Sequence, residues 1–348
     1  MNTVIKNRKI FIIILLVLAV FAEAVYLNSR DDAYDENITP EDVLNVTVWE
    51  SAIDKIGPNE AYTFFKQEVG ELDFSIQHLA AHQFGEALFK KQGVDGITVC
   101  DSSFAFGCYH QFFLSAISQH GIPIIEELDS VCIEKYTLWG LGCQHGIGHG
   151  LMEYFGEEGL AQALEACASL QWQEPFLGCQ DGVFMENNFP TFIGEDRASG
   201  GVREYNPGNP EFPCNTIKEK FQQACFFAQP NWLIQAGEYS LTEVADICIN
   251  LTGKINQRAC LKGLGNYVGE RSGGDIAEAV ASCNIAISNN EENNVFCRAG
   301  VYWSYWKMDQ HNSYRSMAQD ACAGLSEEGF VLCESEADIT GKFFTNHE

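Results

Sequence analysis

The chain has 348 residues, 20% of them charged, with a net charge of -27 and 14 cysteines. Such a charge excludes a nucleic-acid partner, which needs a basic stripe to meet the phosphate backbone. No cysteine lies in a Cys-x-x-Cys or Cys-x-x-Cys-His run, so zinc ribbons, thioredoxin-like redox sites and c-type haem attachment lack their signatures.

The first element is a leader. Lys6, Arg8 and Lys9 precede the apolar run Ile10 to Phe21 and then Ala22-Glu23-Ala24, the layout of a signal peptide. If it is not cleaved, the segment to residue 27 is nearly long enough to span a bilayer. Residues 1–27 are therefore read as a signal peptide or an N-terminal membrane anchor. The chain beyond residue 27 is expected to be exported, either secreted or held on the outer face of the cytoplasmic membrane. A high cysteine count agrees with an oxidising compartment, where Asn37, Asn45 and Asn250 open glycosylation sequons. The expected macromolecular partner is another exported or membrane protein. Residues 28–40 form an acidic tether, at the end of which Thr39 and Pro40 read as N-cap and N1 of a first helix.

From residue 41 the chain is expected to be helical and repetitive. All 14 cysteines fall into successive pairs: Cys100 with Cys108, Cys132 with Cys143, Cys167 with Cys179, Cys214 with Cys225, Cys248 with Cys260, Cys283 with Cys297, and Cys322 with Cys333. Second members recur at intervals of 35, 36, 46, 35, 37 and 36 residues, the period of a helical hairpin. Before the first cysteine of a pair, apolar residues recur at helical spacing, as in Leu160, Ala163 and Leu164 or Leu241, Val244 and Ala245. Ser240 and Glu243 form a capping-box pattern ahead of one such helix. After the second cysteine a helix starts again, commonly as Cys-x-x-Gly ("CQHG", "CQDG", "CLKG", "CRAG"). Each pair thus straddles a turn, and a local disulfide there would pin it.

The expected fold is all-α: about eight helical hairpins in a curved superhelix or a closed toroid, stapled by seven local disulfides. Residues 41–189 form an N-terminal group of repeats, residues 190–213 a Pro/Gly-rich insertion that accounts for the one long interval, and residues 214–348 a C-terminal group. Over residues 100–333 the period and pairs such as Cys100 with Cys108 make the chain resemble cysteine-rich Sel1-like repeat proteins. That resemblance implies an exported array of hairpins whose adjacent units are bridged by a disulfide. The glycine-rich helix starts are similar to the inner helices of α/α toroids such as lanthionine cyclases. Those enzymes use cysteine among their zinc ligands, and here the pairing consumes the cysteines.

Chemistry is concentrated in the N-terminal group. Set in register two residues after each second cysteine, His110, His145, Asp181, Phe227, Lys262 and Ala299 correspond, and one period before His110 stands His78. His78, His82 and Glu86 repeat at four-residue steps, as do His145, His149 and Glu153. Side chains four apart share a helix face, so each motif is a stripe of His, His and Glu. Six of the eight histidines, His110 and His120 among them, lie between residues 78 and 149. His-x3-His on a helix lets two imidazoles reach one ion from adjacent turns.

The candidate metal ligands are therefore His78, His82, His110, His145, His149, Glu86, Glu153 and Asp181, with Glu186 as a further carboxylate from the same repeat as Asp181. Glu86 and Glu153 are also the candidate acid/base residues. The ligand types suit zinc, iron, copper or nickel and disfavour calcium. The bland reading is a packed interface of histidines bonded to neighbouring carboxylates. Because adjacent helices pack about 8 to 10 Å apart, the two stripes can share one ion only if the array curves sharply; otherwise there are two sites.

These residues support three functions. The first is an exported metal-binding repeat protein, the second a metal-dependent hydrolase or oxidase on the same site, and the third a metal-free interaction scaffold. No nucleophile elbow, P-loop or dinucleotide fingerprint argues for chemistry without a metal. In the C-terminal group, Val301 to Trp306 ("VYWSYW") reads as core packing, with an aromatic floor for carbohydrate as the alternative.

Overall fold

A computed structural model describes residues 38–101, 103–104, 106–136, 140–190, 203–288, 290–308 and 319–337. The leader, most of the acidic tether and much of the Pro/Gly-rich insertion lie outside those residues. Among the described residues no helix is long and apolar enough to cross a membrane.

The α-helices, in chain order, are α1 (Val46–Ile56), α2 (Pro58–Val69), α3 (Phe74–Gln92), α4 (Gly107–His120), α5 (Ile124–Tyr136), α6 (Gly140–Phe155), α7 (Leu160–Cys167), α8 (Cys179–Asn188), α9 (Glu219–Ala236), α10 (Leu241–Asn250), α11 (Lys254–Arg271), α12 (Ile276–Ala286), α13 (Glu291–Met308) and α14 (Glu327–Ala337). Helices α1, α3, α4, α6, α8, α9, α11, α13 and α14 form one row in which each packs on the next. Helices α2, α5, α7, α10 and α12 form a second layer, each lying against the row helices that flank it in sequence. The row continues directly from α8 to α9 across the insertion.

The two layers follow from two kinds of helix in the sequence. Helix α10 is apolar on one stripe only and buries Val244, Ala245 and Cys248, as a surface helix should. It starts at the capping box seen in the sequence: Ser240 Oγ accepts from Glu243 N, and Ser240 N donates to Glu243 Oε2 at 2.9 Å. Helix α6 is buried on all sides from Gly140 to Met152, apart from Gly142, because it has row neighbours on both flanks and the second layer behind it.

All seven cysteine pairs form disulfides as expected, and no described cysteine is free. Each joins a turn or second-layer helix to the row helix that comes next, at Cα–Cα distances between 5.3 and 5.9 Å. So many disulfides mark an oxidising environment. The start of the fold differs in detail from the sequence reading. Thr39 does cap a turn through Asp42, whose N–H lies 3.3 Å from Thr39 Oγ1, but that turn is a single 3₁₀ piece, Asp42–Leu44. The helix proper is capped by Asn45, whose side chain accepts from Thr47 N and so favours a fresh start over a continuation.

An aromatic cluster fixes the rotation of α3. Trp49 packs edge-on against Phe65 at 4.9 Å, and Phe65 lies 5.0 Å from Phe84. With Phe84 buried on that side, the helix presents His78 and His82 toward α4.

The spacing of α6 and α8 is set by two glycines. A Cβ on Gly148 would stand 2.0 Å from the Cys179 carbonyl oxygen, and one on Gly182 would stand 2.0 Å from the His145 carbonyl oxygen. Neither contact is possible for any other residue without parting the helices. Gly148→Ala is therefore expected to destabilise the protein by about 3 kcal/mol, the upper range for overpacking. A lower urea midpoint at an unchanged m-value would show it, whereas an unmoved midpoint would mean that the helices part freely.

At the C-terminal end, Val301, Trp303 and Tyr305 are buried, as the packing reading of that aromatic run expects. Trp303, Phe176, Phe227, Lys262 and Glu336 line a cavity of about 220 Å³. Lys262 occupies the register position of the histidines, and its ammonium donates to the Glu336 carbonyl at 2.8 Å and pairs with the same residue's carboxylate.

Candidate metal site

Helices α3, α4 and α6 are consecutive members of the row, and their facing sides carry five imidazoles. His78 and His82 come from α3, His110 from α4, His145 and His149 from α6. The rings form one continuous series. His78 and His82 each lie 5.5 Å from His110, and His110 stacks on His149 at 4.1 Å. His145 lies 4.8 Å from His149.

Three of them converge. His78, His82 and His110 each offer a ring nitrogen within 4.8 Å of the others. The Nε2 atoms of His78 and His82 are 3.1 Å apart, which is close to the spacing of two neighbouring ligands on one ion with metal–nitrogen bonds of about 2.1 Å. His78 is held by its other nitrogen. Its Nδ1–H donates to the Phe104 carbonyl at 2.7 Å, so its Nε2 carries a lone pair. The carbonyl comes from the loop closed by Cys100 and Cys108, in which Phe104 and Phe106 adopt left-handed backbone angles of 54° and 62°. Such conformations cost of order 1 kcal/mol or more each and concentrate at functional sites. Gln111 stands close enough to His82 to favour its protonated form. His110 Nδ1 is buried with no hydrogen-bond partner.

Burial keeps His82 and His110 neutral. Desolvation first, then the nearby His78 and His149, push His82 down to about 3 against the raising effect of Gln111. His110 is held well below its ordinary value by burial and by the four histidines around it. A neutral imidazole is the ligating form.

The α6 pair is held by carboxylates from α8. His149 Nδ1 lies 2.8 Å from Glu186 Oε2, and both side chains are almost fully buried. His145 Nδ1 lies 3.1 Å from Asp181 Oδ2, within range though off the ideal hydrogen-bond line. Between the two rings the Nε2 atoms face each other at 3.0 Å. His149 is lowered by burial, with the Glu186 bond acting the other way.

The remaining candidates are placed differently. Glu86 does not join the three histidines: its carboxylate pairs with Lys90 at 2.7 Å, one turn further along the same helix. A lysine four residues after a glutamate is the favourable order for such a pair. Glu153 is partly buried near the end of α6 and is likewise outside the three-histidine group. Asp181 is a partner of the far nitrogen of His145, not a fourth member of the group. His120 is exposed at the end of α4. Sequence reading did not find Phe104, because a backbone carbonyl leaves no mark on residue type, nor Gln111, a common residue on a polar face.

Fold and site together define an all-helical, disulfide-stapled repeat protein carrying three histidines that could hold a metal ion. No protein family, no curated protein and no solved structure matches the chain, so the roles given to its residues rest on their own geometry.

Proposed function

We propose that the chain is an exported protein that binds a first-row transition-metal ion through His78, His82 and His110. The observation that carries this reading is the convergence of three mostly buried imidazoles from two helices, with the outer nitrogen of His78 already fixed by a backbone carbonyl. That is the arrangement in which a second contact orients a metal-bound histidine and sets its tautomer. Nitrogen ligands suit zinc, iron, copper or nickel. Export is supported by the seven disulfides and by the basic and apolar leader.

The test is elemental analysis of the purified protein after reconstitution, beside His78→Ala/His82→Ala. The wild type should retain an ion through gel filtration, and the double variant should lose the ion bound by these residues. Binding should also raise the melting temperature, by the equivalent of about 2.7 kcal/mol at one hundred times Kd. A wild-type chain that retains no transition metal, or a double variant that retains as much as the wild type, would overturn the reading.

A further inference from the structure

The histidine pair of α6 raises a question of protons that the pair of α3 does not. In the α3 pair, His78 uses its one N–H on Phe104, and His82 Nε2–H is free to donate to His78 Nε2. Every nitrogen contact is then satisfied by neutral rings. In the α6 pair both Nδ1 atoms face carboxylate oxygens, at 3.1 Å for His145 and 2.8 Å for His149. A carboxylate accepts and does not donate, so His149 keeps its single proton on Nδ1; the same tautomer suits His145 beside Asp181, although that contact lies off the hydrogen-bond line. The two Nε2 lone pairs then point at each other across 3.0 Å. Moving either proton to Nε2 relieves that contact only by setting a lone pair against a carboxylate. No combination of neutral tautomers satisfies all three contacts. A cation between the two Nε2 atoms would satisfy all three contacts at once.

We infer that His145 and His149 form a second transition-metal position, with Asp181 and Glu186 as the carboxylates that orient them, so that α3, α4 and α6 carry a two-metal centre. The inference rests on the same face taking transition metals, as proposed above. A separation of 3.0 Å matches two neighbouring ligands about 2.1 Å from one ion. Carboxylate to histidine Nδ1, with Nε2 on the ion, is the usual outer support of such sites. The stacking of His110 on His149 at 4.1 Å makes the second position continuous with the first. With two protein nitrogens, the second ion keeps coordination positions open, which is the property of a reactive ion and not of a structural one. The ligand class for those positions is water or a small oxygen-donor molecule.

The experiment is titration of the metal-free, disulfide-intact protein with Co(II). It is followed by the visible absorption of the bound ion and by bound metal per chain after gel filtration, for the wild type, His149→Ala, Glu186→Gln and His78→Ala/His82→Ala. Two ions are expected for the wild type. His149→Ala should bind one, and His78→Ala/His82→Ala should bind one with a different spectrum. Glu186 is a positioning residue. Its glutamine variant can donate to His149 Nδ1 and turn the imidazole to the wrong tautomer, so it should weaken the second ion about 10- to 100-fold while leaving the first unchanged. Retention of the first ion in His149→Ala and Glu186→Gln, and of the second in His78→Ala/His82→Ala, shows in the same titration that each variant is folded. One ion in the wild type, unaffected by His149→Ala and lost in His78→Ala/His82→Ala, would overturn the second position and leave the first standing. One ion lost in His149→Ala alone would overturn the first. A shared proton in place of a metal would give the former result.

Discussion

Reduction of all seven disulfides is expected to unfold the described domain and not merely to loosen it. Each bond closes a short loop, with sequence separations from 8 to 14 residues. In the chain-entropy treatment such loops contribute about 2.5 to 3 kcal/mol each. Seven together come to roughly 20 kcal/mol, more than the 5 to 15 kcal/mol that usually separates a folded domain from its unfolded chain. The geometry reinforces the point. Each disulfide joins the second layer, or the turn before a row helix, to the row itself, and the short second-layer helices bury only a few side chains of their own. Helix α7, for example, buries only Ala163, Leu164 and Cys167. Far-UV circular dichroism during reduction should show one loss of helicity at low denaturant. A reduced, alkylated chain that keeps its helical signal and its urea midpoint would show that packing alone suffices.

Acid should destabilise the metal-free protein, beginning near neutrality. His82 has a folded value of about 3, lowered chiefly by burial, while a histidine in the unfolded chain protonates near 6.5. Between those values the unfolded state binds more protons, so stability falls as pH falls. The contribution is complete above about 6.5 and is lost progressively toward 3. The slope is about 1.4 kcal/mol per pH unit for each such histidine, or about 2 kcal/mol for His82 between pH 6.5 and 5. His110 and His149 are lowered as well and act in the same direction. Urea midpoints of the chelator-treated protein at pH 7, 6 and 5 should therefore drop steeply. His82→Leu should flatten part of the dependence, because it removes one group that the unfolded state protonates. Equal midpoints at pH 7 and 5 would contradict the burial of these rings. Loading with metal should delay the acid transition, since a bound ion holds the imidazoles in the neutral form.

Much of the architecture could be read from residue order. Cysteines in adjacent pairs with a near-constant period specify local bridges and helical hairpins, because a disulfide across a turn needs only the two helix ends that the turn already brings together. The layers were legible too. A one-stripe helix such as α10 has a single face to bury, and the glycine-rich α6 has no face that suits solvent. The site was legible along each helix but not between helices. Four-residue spacing puts His78 beside His82 and His145 beside His149 whatever the tertiary fold. The same spacing put Glu86 and Glu153 on those faces, where a local competitor, Lys90, decided the fate of the first.

Residue order by itself determined the repeat, the bridges and the two histidine pairs, because all of these depend on contacts within about one hairpin. Only the tertiary structure decided how far apart the pairs stand, that His110 fills the space between them, and that Asp181 and Glu186 meet the outer nitrogens of the α6 pair rather than an ion. Those outcomes depend on helix rotation and separation. The rotation of α3 is set by Trp49, Phe65 and Phe84, and the separation of α6 from α8 by the mutual close approach of Gly148 and Gly182. Packing of this kind sums many contacts that are distant in sequence, and no spacing rule along one chain segment contains it.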